Sequence, residues 1–192
     1  FKEKITSKKS LVLLLTNLTT FSTTGYVATA VLFVGYIFFS NIKKSYKFIL
    51  SVILLVVVYY VGQLDFMTEK IAEQSADDST WSRFGAIAYH WNQITQSPII
   101  GFGPFLSNVF GDELFSPNGL TDLMRYYGIP LSIVFYYLLY RGTKVYVGNS
   151  HKGANVCVFV SLLLLCFSQT ITYSPFFMIL YFFAFNTYTY DK

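Results

Sequence analysis

The run FILSVILLVVVYYVGQL, from Phe48 to Leu64, holds 17 residues and no charge. A helix that crosses a bilayer needs ~20 predominantly apolar residues, with a range of ~17–25, so this run reads as a candidate span. Three more runs match or approach that length, at residues 120–140, 154–171 and 175–188. Two shorter segments, 10–24 and 25–40, come first, divided by the polar stretch TNLTTFSTTG. Polar backbone and hydroxyls are tolerated at membrane depth only where they face protein or a wet cavity. The two segments are therefore expected to meet at a turn around Ser22 and Gly25.

Composition agrees with the runs. Of 192 residues, 54% are hydrophobic, 20% aromatic and only 12% charged, against ~25% charged in an ordinary soluble domain. The expected fold is an all-α integral membrane protein: one polytopic helical bundle over residues 1–192, with a long, partly helical extracytoplasmic loop at about 65–119. The chain opens on Phe1 rather than Met and reads as the C-terminal portion of a longer protein. Its start is basic and then apolar, like a signal peptide. The apolar run from Leu11 to Leu15 is shorter than the usual ~7–15 residues, however, and no A-x-A-like cleavage site follows.

Charge sets the expected orientation. Lys2, Lys4, Lys8, Lys9, Lys43, Lys44, Lys47, Arg141, Lys144, Lys152 and Lys192 all fall in loops on one side, which the positive-inside rule makes cytoplasmic. The segment from Asp65 onward then lies outside. It carries Asp65, Glu69, Glu73, Asp77, Asp78, Asp112 and Glu113 against Lys70 and Arg83. Cys157 and Cys166 are nine residues apart in one apolar run, on opposite faces of a helix at ~100° per residue, and read as buried thiols. His90 and His151 have no metal-ligand spacing around them.

A loop of this length is expected to have structure or function of its own. Within it, SRFGAIAYHWNQITQSPIIGFG (Ser82 to Gly103) repeats Phe84, Ile87, Trp91 and Ile94 at helical spacing. Asp77, Asp78 and Ser79 suit its N-terminus, and Pro98 with Gly101 and Gly103 ends it. The expectation is an amphipathic helix at the outer leaflet, with Trp81, Tyr89 and Trp91 at headgroup level. Arg83 and His90 share a stripe, seven residues apart. Arg83 is either a surface arginine or a ligand for phosphate oxygens. Arg125 lies inside the start of a candidate span. An ionisable residue there is a functional candidate, unless it snorkels or pairs with Asp122 three residues earlier. The helix start near Asn118 and Gly119 is expected to offer unpaired N–H groups to an anion. Phosphate-loop and G-x-S-x-G motifs are absent, and the basic residues follow the membrane rather than nucleic acid.

The stretch from Ser82 to Gly103 resembles the R-x(7)-W-x(6)-P-x(2)-G-x-G pattern of the O-antigen polymerase and ligase family, with Arg83, Trp91, Pro98, Gly101 and Gly103 in place. PNGLTDLMRYYGI resembles the family's H-[NSQ]-x(9)-G-x-x-G block, with Asn118 and Gly128 at the right separation. LTNLTTFSTTGYVATAVL resembles its earlier helix break. The similarity covers roughly Leu11 to Tyr140. Three positions depart from the pattern: Pro117 stands where the ligase branch has histidine, Leu131 where the second glycine falls, and Thr23 and Thr24 where the break carries arginine. The missing histidine argues against a ligase, and NGLTDLMRYYGI is similar to the Wzy-type polymerases of capsule, O-antigen and exopolysaccharide.

That resemblance implies a membrane glycosyltransferase of the GT-C class in the bacterial inner membrane. It would join undecaprenyl-diphosphate-linked oligosaccharide repeat units at the periplasmic or extracellular face, without nucleotide sugar, metal or other cofactor. Its partners would be the lipid-linked oligosaccharide, the bilayer and a chain-length regulator. Arg83 and then Arg125 are the candidates for stabilising the departing diphosphate, and His90, Asp112 and Glu113 those for the base. Asn118, Trp91 and Gly103 are candidate substrate contacts. Asn118 alternatively caps its helix, and the Gly101–Gly103 turn alternatively only shapes the loop. The competing readings are an O-antigen ligase-like transferase, a lipid-oligosaccharide transporter or flippase, and a non-catalytic scaffold. A transporter is expected to place polar groups at mid-membrane in several helices, whereas here they gather at one face.

Overall fold

The computed structural model describes residues 8–19, 22–65, 68–69, 72, 83–103, 118–148 and 153–186. Among them every regular element is a helix: α1 (Lys8–Thr19), α2 (Thr23–Phe39), α3 (Lys44–Gly62), α4 (Arg83–Gln96), α5 (Gly119–Val147), α6 (Ala154–Ser168) and α7 (Pro175–Phe183). The all-α class expected from the sequence is thus the class observed. Glu73, Asp77, Asp78, Ser79, Trp81, Asp112, Glu113, Pro117 and His151 lie outside the described residues, as does the expected capping of α4.

Helix boundaries follow local chemistry. The polar stretch between the first two apolar segments breaks the chain as expected: α1 ends at Thr19, and Ser22 caps α2 by accepting from the Gly25 N–H at 3.1 Å. Asn17 Nδ2 donates to Thr29 Oγ1 at 2.8 Å and so joins α1 to α2. Asn118 caps α5, and Pro175 opens α7 at a position where its missing N–H costs nothing.

The expected spans are corrected in length. Among the described residues no helix is long and apolar enough to cross a membrane. The physical reasons differ from segment to segment. The segment 154–171 yields a helix of 15 residues and 175–188 one of 9 residues, roughly 22 and 14 Å at 1.5 Å per residue. Helix α3 has 19 residues but ends at Gly62, so it holds 15 of the 17 residues of the expected run, 48–62. The segment 120–140 is two helices rather than one. Gly128 sits inside it at φ 77°, ψ 168°, a conformation open essentially to glycine alone. Pro130 follows and could not have continued the hydrogen-bond ladder. The arms 119–127 and 129–147 fold back across this break, so that Tyr136 Oη donates to Leu120 O at 2.6 Å, 16 residues away. Ser132 Oγ satisfies the Gly128 carbonyl at 2.7 Å.

Packing centres on α6. Its most extensive neighbour is α2, and the second arm of α5 lies against both α6 and α7. Leu139, Leu162, Cys166, Phe177, Leu180 and Tyr181 form the core between these three helices. Small residues allow close approach, as in membrane helix pairs. A Cβ at Gly142 would run into the Leu180 carbonyl, and Ser161 Oγ reaches the Ala28 carbonyl at 3.1 Å. Cys166 is buried in the core and Cys157 half-buried, both as free thiols.

The bundle has two chemically different ends. At one, Lys47 Nζ donates to the Phe38 carbonyl at 3.0 Å, the Phe39 ring packs on Gly153, and Arg141 and Lys144 close α5. At the other, Gly119 packs on the Gln169 carbonyl, which joins the start of α5 to the end of α6.

Gly128 and Gly148 share one unusual backbone geometry, φ 77° ψ 168° and φ 74° ψ 178°. A Cβ at Gly128 would strike the Ile99 carbonyl, whereas at Gly148 it would meet open space. Gly148→Ala is therefore expected to cost only the conformational strain, about 1–3 kcal/mol. Gly128→Ala should cost distinctly more, and thermal melts of the two variants would show a larger Tm loss for Gly128→Ala.

Candidate functional site

The first arm of α5 meets α4 through a buried polar layer. The buried face of α4 is Ala86, His90, Gln93 and Ile94, spaced i, i+4, i+7 and i+8 as one helical stripe. It is a second face beside the apolar stripe of Phe84, Ile87, Trp91 and Ile94 that the sequence reading places toward the outer leaflet, and Ile94 belongs to both. Ile94 is buried, but Trp91 is 54% exposed and turned away from the polar layer. As a candidate substrate contact, Trp91 stands apart from the other polar candidates. The facing arm contributes Asn118, Asp122, Leu123 and Arg125, all buried.

Arg125 is the hub. Its Nη2 donates to Asp122 Oδ1 at 2.6 Å and its Nη1 to Gln93 Oε1 at 3.2 Å, with the whole side chain 1% exposed. Of the two readings that the sequence left open, local pairing with Asp122 is the arrangement observed. The pairing has a cause: the two residues are one helical turn apart, and burial strengthens the attraction once both are desolvated. Gln93 extends the network to α4. Its Nε2 is buried without a hydrogen-bond partner among the described residues.

His90 Nδ1 lies 2.7 Å from Thr121 Oγ1. Burial, and after it the nearby Arg125 charge, lower the imidazole from its ordinary 6.5 to about 3. It is therefore neutral near pH 7. A base works best with a pKa near the operating pH, so His90 is a weak candidate for proton abstraction and a good one for holding Thr121 and the α4–α5 contact. Arg83 begins α4, two turns before His90. Asp112 and Glu113, the other base candidates, lie outside the described residues.

The start of α5 differs from expectation. Asn118 Oδ1 accepts from the Leu120 N–H at 3.1 Å and the Thr121 N–H at 3.4 Å, and Asn118 O accepts from Asp122 N at 3.1 Å. The N–H groups proposed for an anion are thus used within the cap. Asn118 is fully buried and acts as the cap, the second of its two open roles.

The glycine turn after α4 docks on the break in α5. Ile129 N donates to Pro98 O at 2.8 Å and Phe102 N to Arg125 O at 3.0 Å. Gly101 has φ 72°, and a Cβ there would lie 2.5 Å from the Tyr126 carbonyl oxygen and 2.6 Å from the Gly128 nitrogen. Gly103, at φ 54°, has open space around it and shapes the chain rather than the contact. Pro98, Gly101 and Gly128 are therefore one backbone joint.

Gln93 and Thr121 were not singled out from the sequence. The signal for Gln93 was its position three residues after His90, on the same stripe; that signal was masked because Trp91 and Ile87 offered a more apolar alternative. Among the described residues no group of three His, Cys, Asp or Glu is placed to hold a metal ion.

Arg125→Met is expected to destabilise the fold by about 3–5 kcal/mol, because it strands the Asp122 charge in a buried site. The double variant Arg125→Met/Asp122→Leu should recover much of that loss in denaturant unfolding. From about pH 6.5 down to about 3 the unfolded chain binds a proton at His90 that the folded chain refuses, so stability should fall as the pH falls through that window. His90→Asn should flatten that part of the Tm-against-pH curve.

Comparison with protein-family models, curated proteins and solved structures gave no match.

Proposed function

We propose that the chain belongs to a membrane glycan polymerase, which joins undecaprenyl-diphosphate-linked repeat units at the extracytoplasmic face of the bacterial inner membrane. One observation carries most of this reading. The two blocks that suggested it, Pro98-x-x-Gly101-x-Gly103 and Asn118-x(9)-Gly128, lie 15 residues apart at their nearest, from Gly103 to Asn118, yet they form one joint through the Phe102–Arg125 and Pro98–Ile129 hydrogen bonds. Neither block needed to touch the other if each were an ordinary loop.

Further support is the apolar surface. Helix α3 exposes Phe48, Ile49, Val52, Ile53, Leu55, Val56, Val57 and Val58. Exposed apolar area of that extent marks contact with a membrane or another protein.

The chemistry would run as follows. The bond between the anomeric carbon of the growing chain and its diphosphate oxygen breaks. The hydroxyl oxygen of the incoming unit bonds to that carbon and gives its proton to a base, and undecaprenyl diphosphate leaves. Negative charge grows on the phosphate oxygens, where a fixed cation stabilises the transition state more than the ground state. Arg125 is already matched to Asp122, so this role falls first to Arg83. Arg125 instead sets the spacing of α4 and α5. With His90 held neutral, Asp112 and Glu113 are the better base candidates.

Arg83→Ala in the full-length protein is expected to lower polymerisation on the order of 10²-fold, the usual effect of removing one such group. The surface glycan should collapse to single repeats while the protein stays in the membrane, with Arg83→Lys milder. Long chains of normal distribution would remove Arg83 from the mechanism and favour a transporter or scaffold.

A further inference from the structure

Ile99 and Ile100 are 72% and 79% exposed on a turn that cannot simply fold them away. Gly101 N donates to Ser97 O at 3.0 Å, and Ser97 Oγ donates to Gly101 O at 2.9 Å. The Pro98–Ile129 and Phe102–Arg125 bonds fix the turn from outside, and Gly128 packs under the Ile99 carbonyl. Two large apolar side chains are thus raised on a rigid ridge. Trp91, also exposed, stands on the adjoining helix.

The ridge continues into a longer apolar surface. The second arm of α5 starts at the turn and exposes Leu131, Ile133, Val134 and Tyr137 before reaching the exposed Arg141 and then Lys144. From Ile129 to Arg141 is about 18 Å at 1.5 Å per residue. Lys43, Lys44 and Lys47 also sit at the Arg141 end, where Lys47 holds the last turn of α2. A basic end, an apolar band and an opposite end carrying tryptophan are the order in which a bilayer sorts a helix. The ridge is convex, which suits a fluid layer that closes around it; a folded partner would have to supply a matching groove.

We infer that residues 97–102 form an outer-leaflet wedge: Ile99 and Ile100 enter the acyl layer of the phospholipids, and Trp91 lies at the headgroups. The inference rests on the membrane reading above and deepens it. Because the Arg125 carbonyl holds the turn while the Arg125 side chain holds Gln93 and Asp122, the wedge sets the depth of the polar layer relative to the headgroups. A lipid-linked diphosphate would present its phosphates at that depth.

The test uses the full-length protein in nanodiscs of phosphatidylcholine and phosphatidylglycerol. A polarity-sensitive fluorophore is attached at Ile99→Cys, Ile100→Cys, Leu55→Cys in the apolar part of α3, or Lys144→Cys at the basic end; the unsubstituted protein gives the background from Cys157 and Cys166. Emission is quenched either by nitroxide on the lipid acyl chains or by aqueous iodide. The wedge predicts that positions 99 and 100 follow Leu55, losing emission to the lipid nitroxide and resisting iodide, with Lys144 reversed. If 99 and 100 follow Lys144 while Leu55 stays in lipid, the wedge fails and the membrane reading stands. If they resist both quenchers, protein covers the ridge and the wedge fails as well. If Leu55 is also quenched by iodide, the membrane reading falls and takes the wedge with it.

Discussion

The backbone joint at Gly128 is the constraint on which the rest of the site depends. A helix broken at a single residue leaves carbonyl and amide groups without their usual partners. Here the Arg125 carbonyl and the Ile129 amide find partners in Phe102 and Pro98. The break and the turn complete each other's hydrogen bonds, so neither conformation is stable for its own sake. Once the joint forms, α4 can approach the first arm of α5 at only one register. That register puts His90 beside Thr121 and Gln93 beside Arg125. A side chain at Gly128 or Gly101 would separate the two strands of backbone and move every one of these pairs.

Much of the fold was legible because apolar runs and their breaks are local signals. The interruption at Ser22, the cap at Asn118 and the start of α7 at Pro175 all follow from residues at the boundary itself. The division of α5 was harder to see. LTDLMRYYGIPLSIVFYYLLY reads as one apolar run, and its glycine and proline are compatible with a kinked span. What turns a kink into a reversal is the partner turn at Pro98 to Phe102, and a partner so distant in sequence leaves no local trace. The same holds for α4. Periodicity alone offers two stripes, and the apolar one with Trp91 looks better. The polar stripe with His90 and Gln93 is the one packed against protein because the facing arm supplies Arg125, Asp122 and Thr121, which only tertiary contact reveals.

Electrostatically the polar layer is close to balanced. Arg125 is matched by Asp122, His90 is neutral, and the first amides of α5 are turned onto Asn118. Such a layer orients helices well and attracts free anions poorly, because a buried pair presents a dipole rather than a net charge. The resemblance gave both arginines one task, stabilising a departing diphosphate, with Arg83 first and Arg125 second. Arg125 organises the framework from within, and under the proposed function the anion would be met by Arg83 at the start of α4.

Helix α3 bears on what surrounds this framework. A helix that is apolar on all sides belongs in a core or in a membrane, yet α3 packs on α2 and leaves most of its length exposed. Tyr46 stands exposed near its lysine-bearing end, and Tyr59 and Tyr60 near the other, the placement of aromatic and basic residues at the two interfaces of a bilayer. The apolar stretch between them is short for a full span, but tilting is not the only accommodation: a short hydrophobic length is met by local thinning and by lysines that snorkel to the surface. Lys44 and Lys47 are placed to do so. In the proposed membrane setting, the surface that would be a liability in water would become the means by which the polar joint is held at a fixed depth.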